Sequence, residues 1–272
     1  MSTSNTYQKI FNLENKTIVL TGSSGFLGSQ YADVLSSAGA NVVLADKDEN
    51  ENKKLGKKLR KKYDISPLVC KVDVSDKKSI INMKKMILKE FKKIDVLVNN
   101  AYFNPNQSKY SPVPFEKFPL DLWNQVLAVN LTGVFLCSQE IGKTMLKQKN
   151  GVIVNISSIY GLLGADQRIY GTSKLNSPVS YAATKGAVIN LTRYLAAYWN
   201  RKNIRVNTLS LGGVLNESYM KKDFVKKYSE KTILGRMANR EEYSGPLLFL
   251  ASDASSYMTG ANLIVDGGWS AW

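Results

Sequence analysis

Short apolar runs that alternate with helical segments constrain the fold of this chain more than any other feature of its sequence. The runs are KTIVLT (16–21), NVVLAD (41–46), PLVCKVDV (67–74), IDVLVNN (94–100), GVIVNISS (151–158), NIRVNTLS (203–210) and ANLIVDGG (261–268). They show little alternation of apolar and polar residues, as expected of strands with both faces covered. Repeated strand–helix units favour a parallel sheet with right-handed crossovers. The pattern predicts one α/β domain over residues 1–272, a doubly wound seven-stranded parallel sheet flanked by helices.

A glycine-rich loop, TGSSGFLG, follows the first predicted strand and opens the first predicted helix. Its glycines, Gly22, Gly25 and Gly28, let backbone N–H groups and the helix N-terminus face a pyrophosphate. Asp46 ends the second strand, where a carboxylate accepts hydrogen bonds from an adenosine ribose and repels a 2′-phosphate. The loop therefore predicts a Rossmann fold that binds NAD rather than NADP, although Lys47 would offset part of the repulsion.

Further polar residues follow the third and fourth predicted strands. Asp73 is placed to meet the adenine, and Asn99, Asn100 and Ala101 end the fourth strand beside the predicted dinucleotide. Capping of the strand ends is the alternative explanation for these residues.

The chain contains no histidine. Its absence excludes Ser-His-Asp and Cys-His mechanisms and the common histidine-containing metal sites, and we predict no metal. Tyr181 precedes Lys185 by one helical turn, so the two lie on one helix face. An ammonium there lowers the pKa of a phenol, normally near ~10, by charge attraction. The pair predicts acid–base chemistry, with a solvated helix face as the alternative.

The formal net charge of +15 raises the question of a polyanionic partner. The densest basic run lies in one predicted helix, where apolar residues interrupt it at helical spacing. Its members are Lys53, Lys54, Lys57, Lys58, Arg60, Lys61 and Lys62. This spacing favours a solvated helix face, and we predict no nucleic-acid partner. The remaining functional explanation is that the positive charge attracts small anionic substrates.

Two cysteines, Cys70 and Cys137, lie among apolar neighbours and are predicted to be buried free thiols. The first sixteen residues lack the apolar core of a signal peptide, and no apolar run approaches ~20 residues. We therefore expect a cytoplasmic protein without a membrane partner.

Several motifs together resemble the short-chain dehydrogenase/reductase family, from about Lys16 to Gly268. They are TGSSGFLG, Asp73, NNA at 99–101, VNLTG around Asn130, VNISS ending at Ser158, YAATK at 181–185 and IVDGG near the end. The resemblance implies a catalytic tetrad of Asn130, Ser158, Tyr181 and Lys185. Ser158 rather than Ser157 matches the family's serine position.

The chain departs from the family pattern at several positions. The spacing TGxxGxxG is similar to that of the extended, sugar-nucleotide-modifying branch, whereas chain length and the later motifs favour the compact single-domain branch. Tyr102 stands where the family has glycine, and Leu211 where a proline usually precedes Gly212. Ser158 and Tyr181 are 23 positions apart, so an extra loop must leave the sheet and return between them.

The resemblance implies hydride transfer between a nicotinamide and a carbon bearing a hydroxyl or carbonyl oxygen. Ser158 would bind that oxygen, Tyr181 would exchange its proton, Lys185 would assist Tyr181 and hold the nicotinamide ribose, and Asn130 would hold a water. The implied cofactor contacts are Gly22, Ser24, Gly25, Phe26, Leu27, Gly28, Asp46, Lys47, Asp73, Val74, Asn100, Ala101, Tyr181, Lys185, Gly212 and Val214. The implied substrate contacts are Ser158, Tyr181, Arg168 and Tyr102.

Three loops, 102–119, 160–178 and 211–235, are expected to shape the substrate pocket, because substrates bind at the carboxyl ends of such strands. The first two are rich in hydrogen-bonding groups: Asn104, Asn106, Gln107, Ser108, Tyr110, Asp166, Gln167, Arg168, Tyr170, Thr172, Lys174 and Asn176. This composition favours a sugar or sugar derivative, including a sugar phosphate or nucleotide sugar. The insertion and the tail VDGGWSAW are similar to reductases of bacterial flagellin glycosylation and nonulosonic-acid biosynthesis.

Two other functions are also compatible with the sequence. One is a sugar dehydratase or epimerase that recycles its NAD, and the other is a non-catalytic dinucleotide-binding regulator. The resemblance also implies a homodimer or homotetramer formed through the helix at 120–148 and the Tyr181 helix. The latter carries an apolar stripe of Leu191, Tyr194, Leu195 and Tyr198, for which core packing is the alternative. Trp269 and Trp272 are expected to cover a neighbouring subunit.

Overall fold

Parallel strands and covering helices alternate along the chain. A computed structural model describes residues 9–104, 113–171, 176–218 and 220–272. The strands are β1 (Thr17–Thr21), β2 (Asn41–Asp46), β3 (Leu68–Lys71), β4 (Val96–Asn99), β5 (Gly151–Ser158), β6 (Ile204–Leu211) and β7 (Asn262–Val265). The helices are α1 (Phe26–Ser37), α2 (Glu49–Tyr63), α3 (Lys77–Phe91), α4 (Leu120–Leu127), α5 (Gly133–Gln148), α6 (Val179–Tyr198), α7 (Lys222–Ser229) and α8 (Ser244–Ala251).

The described strands form one seven-stranded parallel sheet in the order β3-β2-β1-β4-β5-β6-β7. The predicted doubly wound sheet flanked by helices is confirmed. β1 pairs with β2 on one side and with β4 on the other, where Leu20 aligns with Leu44 and Val98. Because the chain order reverses at β1, the loops that leave the carboxyl ends of β1 and β4 diverge and leave a crevice.

Apolar side chains cover both faces of the sheet, which explains why the strands lack a period of two. On one face Leu20, Leu44 and Val98 pack with residues of α1 and α8, including Tyr31 and Leu247. On the other face the strands pack with residues of α3 and α5, among them Ile80, Met83, Ile87, Cys137, Ile141 and Met145. The sheet therefore holds its carboxyl edge rigidly between two cores.

The span Leu120–Gln148 is, in the described part of the chain, the one helix long and apolar enough to cross a membrane, with a mean hydropathy of 1.3. Polar residues interrupt this span, so the sequence shows no continuous apolar run there. A π-helical segment, Ala128–Thr132, divides it into α4 and α5. α5 packs Cys137, Ile141 and Met145 into the core, as a helix that covers a sheet does.

Both cysteines are free and buried, as predicted. Burial raises the pKa of the Cys70 thiol to about 11 and that of Cys137 to about 12. Neither thiol is therefore ionised near neutral pH, and both act as small apolar side chains.

Glu140 joins α5 to α3 through a buried carboxylate. Its side chain is 3% exposed and lies 2.7 Å from Lys143 Nζ and 2.8 Å from Lys84 Nζ, with Lys77 Nζ at 3.6 Å. Hydrogen bonds from Lys143 and Lys84 lower the pKa of Glu140 to about 2. The ionised form is therefore the stable form in the folded protein.

Replacing Glu140 by Gln should lower the free energy of unfolding by about 1–3 kcal/mol at neutral pH, since partly buried ammonium groups lose their counter-charge. A carboxyl whose pKa falls on folding stabilises the protein fully above its unfolded value of 4.5, and this contribution is lost as the pH falls towards 2. Urea unfolding at a series of pH values measures the effect. The two proteins should converge in acid, and the exposed Glu90→Gln change serves as the matched control.

Candidate active site

The carboxyl ends of the strands border one cleft with a volume of about 790 Å³. Every cofactor contact implied by the sequence lines it: Gly22, Ser24, Gly25, Phe26, Leu27, Gly28, Asp46, Lys47, Asp73, Val74, Asn100, Ala101, Tyr181, Lys185, Gly212 and Val214. Ser158 and Tyr102 line it as well. The structure thus brings the glycine loop and three of the four tetrad residues to one cavity.

The glycine loop is packed so tightly that side chains do not fit at two of its positions. Gly22 has φ +65°, and a Cβ there would lie 2.7 Å from Ala101 Cα. A Cβ on Gly28 would lie 2.0 Å from the Gly22 carbonyl oxygen. The first turn of α1 therefore approaches the loop closely and leaves room above its backbone for a pyrophosphate.

Asp46 is anchored beside this loop. Its Oδ2 accepts a hydrogen bond from the Ser24 N–H at 2.9 Å, and its Oδ1 accepts one from the Asp48 N–H at 3.0 Å. A carboxylate has further lone pairs, so these contacts orient it without using all of its acceptors. The glycine cradle and this fixed carboxylate fit the adenosine and pyrophosphate of a nicotinamide dinucleotide.

The asparagines that end β4 hold the scaffold together. Asn100 Nδ2 donates to the carbonyl oxygens of Thr21 and Gly22, each at 3.0 Å, and so clamps the glycine loop. Asn99 Nδ2 donates to Asn155 Oδ1 at 2.8 Å inside the sheet. The amide of Asn155 donates in turn to Thr192 on α6. Sequence reasoning missed this buried network, whose only signal is an asparagine inside an apolar strand.

Asn130 lies in the π-helical segment and is 2% exposed. Its Oδ1 accepts from the Phe103 N–H at 2.8 Å, and its Nδ2 donates to the Phe103 carbonyl at 3.3 Å. The amide thus fixes the residue that follows Tyr102. Asn130 is not among the described residues that line the cleft, but it binds the backbone of Phe103, which does line it.

Tyr181 and Lys185 face the cleft from the same side of α6. Lys185 Nζ lies 5.7 Å from the centroid of the Tyr181 ring and donates a hydrogen bond to the Ile156 carbonyl at 2.8 Å. The Tyr102 ring packs edge-on against Tyr181 at 5.4 Å and lies 5.6 Å from the same ammonium. Burial lowers the pKa of Lys185 to about 8. The rings of Tyr181 and Tyr102 therefore both lie close to the desolvated ammonium of Lys185.

The two serines at the end of β5 differ in what they bind. Ser157 Oγ donates to the Lys185 carbonyl at 2.9 Å and so supports the turn of α6 that carries the lysine. Ser158 Oγ accepts from the Tyr160 N–H at 3.2 Å and keeps its own proton for another partner. This difference supports the choice of Ser158 over Ser157.

A wall of aromatic side chains lines one part of the cleft. Tyr170 and Phe224 have ring centroids 5.3 Å apart, Phe224 and Tyr228 6.0 Å, and Tyr228 and Trp269 4.4 Å. Trp269 is 8% exposed and packs within its own chain, and the expected contact with a neighbouring subunit stays a prediction. Tyr160, Met220 and Met237 also line the cleft.

Several of the loop residues expected to give the cleft a polar lining bind other parts of the loops instead. Gln167 exchanges two hydrogen bonds with the Ser177 backbone, each at 3.0 Å. Asn176 Nδ2 donates to the Val113 carbonyl at 2.8 Å. Of the loop residues expected to be polar contacts, Asn104 and Tyr170 are the described ones that line the cleft. Those that fall outside the described residues are Asn106, Gln107, Ser108, Tyr110, Thr172 and Lys174.

Arg168 lies on the surface, where its side chain is 85% exposed. Its Nε and Nη2 donate to the Asp166 carboxylate at 2.8 and 3.0 Å, and Lys231 Nζ lies 2.7 Å from the same carboxylate. Hydrogen bonds from Arg168 and Lys231 hold the pKa of Asp166 well below its usual range. The structure does not bring Arg168 into the cleft, and its contact with substrate stays a prediction.

Among the residues that the structure describes, no group of three or more His, Cys, Asp or Glu side chains could hold a metal ion.

Comparison with known proteins agrees with this geometry. Residues 23–270 match a family model described as enoyl-(acyl carrier protein) reductase. The chain is 33% identical over 271 residues to an NAD-dependent glycerol dehydrogenase of Listeria innocua, covering 97% of each. It is 31% identical over 258 residues to post-translational flagellin modification protein A of Campylobacter coli, covering 94% of this chain and 99% of that protein.

A solved structure extends the likeness to three dimensions. The gluconate 5-dehydrogenase of Burkholderia cenocepacia, in complex with NADP and tartrate, aligns with a TM-score of 0.87 and 29% identity, covering 98% of this chain and 99% of that one. The chain therefore belongs to the short-chain dehydrogenase/reductase family and is an oxidoreductase with a nicotinamide dinucleotide cofactor.

Proposed function

We propose that this protein interconverts a secondary alcohol and a ketone on a polar, sugar-derived small molecule with NAD(H). The observation that carries the proposal is the placement of Ser158, Tyr181 and Lys185 around the same cleft as the glycine loop and Asp46. When bound, the dinucleotide supplies or accepts the hydride. The residues of the chain have to bind the substrate oxygen and move its proton.

Each tetrad residue has a proposed part in that task. Ser158 Oγ donates a hydrogen bond to the reacting oxygen, and the Tyr181 hydroxyl exchanges a proton with it. The Lys185 ammonium, 5.7 Å from the Tyr181 ring, stabilises the phenolate form by charge attraction and would hold the nicotinamide ribose. Asn130 would hold a water that links Lys185 to solvent; its Oδ1 accepts from the Phe103 N–H and keeps a further lone pair for that water.

The NAD preference rests on the anchored carboxylate of Asp46. Replacing Asp46 by Ala should raise the ratio of kcat/KM with NADP to that with NAD by about tenfold or more, since ~1.4 kcal/mol of lost repulsion is a factor of ten. Initial rates with both dinucleotides measure the ratio. The Asp46→Asn variant removes the negative charge but keeps a side-chain oxygen that accepts the hydrogen bond from the Ser24 N–H. It therefore separates the effect of the charge from that of the hydrogen bond. An unchanged ratio in both variants would remove Asp46 from cofactor selection.

A substrate of the sugar class is supported by Asn104 and Tyr170, the described polar loop residues that line the cleft, and by relatives that act on glycerol and gluconate by name. The flagellin modification protein among them supports a role in bacterial surface-sugar synthesis. We also propose a single cytoplasmic domain that assembles as a dimer or tetramer through Leu120–Gln148 and α6. Tyr194 and Tyr198 support that interface, since their rings stack 5.8 Å apart while 62% and 68% exposed.

One assay separates this function from its alternatives. Purified protein is mixed with NAD and a panel of polyols and sugar derivatives, and the absorbance of reduced nicotinamide is followed while products are analysed. Accumulation of NADH supports the dehydrogenase. Product without net NADH would instead favour the dehydratase or epimerase indicated by the spacing of TGSSGFLG, and neither signal would favour a regulator.

A further inference from the structure

The hydroxyl of Tyr160 is buried beside the cleft, where the Tyr170 hydroxyl approaches it but no described group meets hydrogen-bond geometry with it. The side chain is 9% exposed, and its oxygen is covered. A buried polar group without a partner costs about 1–3 kcal/mol. A phenylalanine would fill the same space without that cost, so packing alone gives no reason for the hydroxyl.

Tyr160 is held in a fixed relation to the proposed chemistry. It lies two residues after Ser158, and its backbone N–H donates to Ser158 Oγ at 3.2 Å. It also lines the cleft together with Ser158 and Tyr181. A change at the Tyr160 hydroxyl therefore acts on the part of the cleft that holds the reacting oxygen.

The surroundings of Tyr160 keep its hydroxyl neutral and dry. It clusters with Ile159, Ile169, Met237 and Trp269. Burial, with smaller effects from the neighbouring tyrosine hydroxyls, raises the pKa of Tyr160 above its usual range. A neutral phenol both donates and accepts a hydrogen bond, and such a bond is strong where water is excluded.

The other described tyrosine hydroxyls of this cluster are not equivalent. The Tyr228 hydroxyl accepts a hydrogen bond from the Gly213 N–H and is committed to the loop after β6. Tyr181 has its own task with Lys185. Tyr170 approaches the Tyr160 hydroxyl without reaching hydrogen-bond geometry, so no described partner satisfies Tyr160.

We propose that Tyr160 determines specificity by hydrogen-bonding a second oxygen of the substrate, so that the enzyme selects diols and hydroxyketones over simple alcohols and ketones. The inference rests on the proposed function, in which Ser158 and Tyr181 take the reacting oxygen. Because the Tyr160 oxygen is covered in the structure, a lining side chain has to turn aside as the substrate enters. Tyr170, which also lines the cleft, is the side chain placed to do so.

A second tyrosine offers a matched control. The Tyr31 hydroxyl in α1 is also buried without a partner in the described chain, but Tyr31 packs in the core away from the cleft. Tyr160→Phe and Tyr31→Phe both remove an unsatisfied hydroxyl and keep the ring. The two changes should leave the protein folded to the same extent, and only the first should alter the choice of substrate.

The test compares cyclohexanol with the isomeric cyclohexanediols as substrates with NAD. We expect the wild type to prefer at least one diol by roughly tenfold or more in kcat/KM, since a site that hydrogen-bonds a hydroxyl discriminates strongly against its absence. Tyr160→Phe should lose most of that preference while its kcat/KM for cyclohexanol stays within about threefold of wild type. Tyr31→Phe should keep both values.

A parallel measurement keeps this inference distinct from the proposed reaction. Calorimetric titration of the NADH complex compares the binding of cyclohexanone with that of its hydroxylated derivatives in the same three proteins. If the enzyme turns over its substrates and Tyr160→Phe keeps the preference for the diol, the Tyr160 contact is wrong and the proposed reaction stands. The same conclusion follows if Tyr160→Phe loses activity with the diol and with cyclohexanol alike. If binding prefers the hydroxylated ketones, depends on Tyr160 and is not followed by turnover, the proposed reaction is wrong and the Tyr160 contact is supported. If the protein shows neither turnover nor a binding preference, the reaction and the contact are both wrong.

Discussion

Replacing Tyr181 by Phe should lower turnover by roughly 10²–10⁴-fold while dinucleotide binding stays nearly unchanged. The change removes one hydroxyl and keeps the ring, so the edge-on packing against Tyr102 at 5.4 Å is retained. Lys185 also keeps its hydrogen bond to the Ile156 carbonyl. The loss therefore reports proton transfer alone, because the cavity, the glycine loop and Asp46 are untouched.

Two measurements are needed to interpret that result. Steady-state rates give kcat and KM, and titration of the protein with NADH gives the affinity for the cofactor. Tyr198→Phe is the matched control, because Tyr198 lies on the same helix with 68% of its surface exposed. If Tyr181→Phe retained wild-type turnover, Tyr181 would have no part in the mechanism; if it lost cofactor affinity as well, the change would report structure rather than chemistry.

The fold was predictable because each strand carries its own signal. Runs such as TIVLT and NVVLAD are apolar throughout, and parallel strands buried on both faces have that composition. The predicted ends were less accurate for a physical reason. The third run was expected to extend to residue 74, but β3 ends at Lys71, because its neighbour β2 ends at Asp46 and offers no further partners.

The site was predictable only where its residues belong to local motifs. Gly22 follows β1 directly and Gly28 lies in the first turn of α1, while Tyr181 and Lys185 are one helical turn apart, so spacing alone brings each pair together. The aromatic wall has no such signal. Tyr170, Phe224 and Trp269 come from distant parts of the chain and meet only in the folded protein.

Among the described residues, the expected polar lining is met only in part, for a related reason. The sequence shows that a loop has hydrogen-bonding groups but not where those groups point. In the fold, Gln167 and Asn176 are used to hold irregular backbone in place. Loops without regular secondary structure need such bonds, because their backbone groups lack partners of their own. Polarity of a loop is therefore a poor guide to the polarity of the cleft it borders.

Lys185 links the chemistry of the cleft to the stability of the fold. Burial lowers its pKa from 10.5 to about 8, so the folded protein resists the charge that the proposed mechanism requires. Between these pH values the unfolded chain binds the proton more readily than the folded one, and stability rises with pH. The difference of about 2.5 pH units corresponds to on the order of 3 kcal/mol. Such a cost is expected at a functional position rather than at a structural one.

Replacing Lys185 by Met should therefore change activity and pH dependence together. Turnover should fall by two orders of magnitude or more, and the KM for NAD should rise, since the ammonium serves both Tyr181 and the ribose in the proposed mechanism. In urea unfolding, the wild type should gain stability relative to the variant as the pH rises from about 8 to 10.5. Met keeps most of the side-chain volume, so the core at this position stays filled.

The exposed Lys147→Met change on α5 controls for the loss of one positive charge. It should leave turnover as in the wild type, because Lys147 is exposed and is not among the described residues that line the cleft. Parallel stability curves for wild type and Lys185→Met across this pH range would show that the ammonium is not desolvated in the folded protein. The charge would then be held in water, and its attraction for the Tyr181 phenolate would be too weak to support the proposed proton transfer.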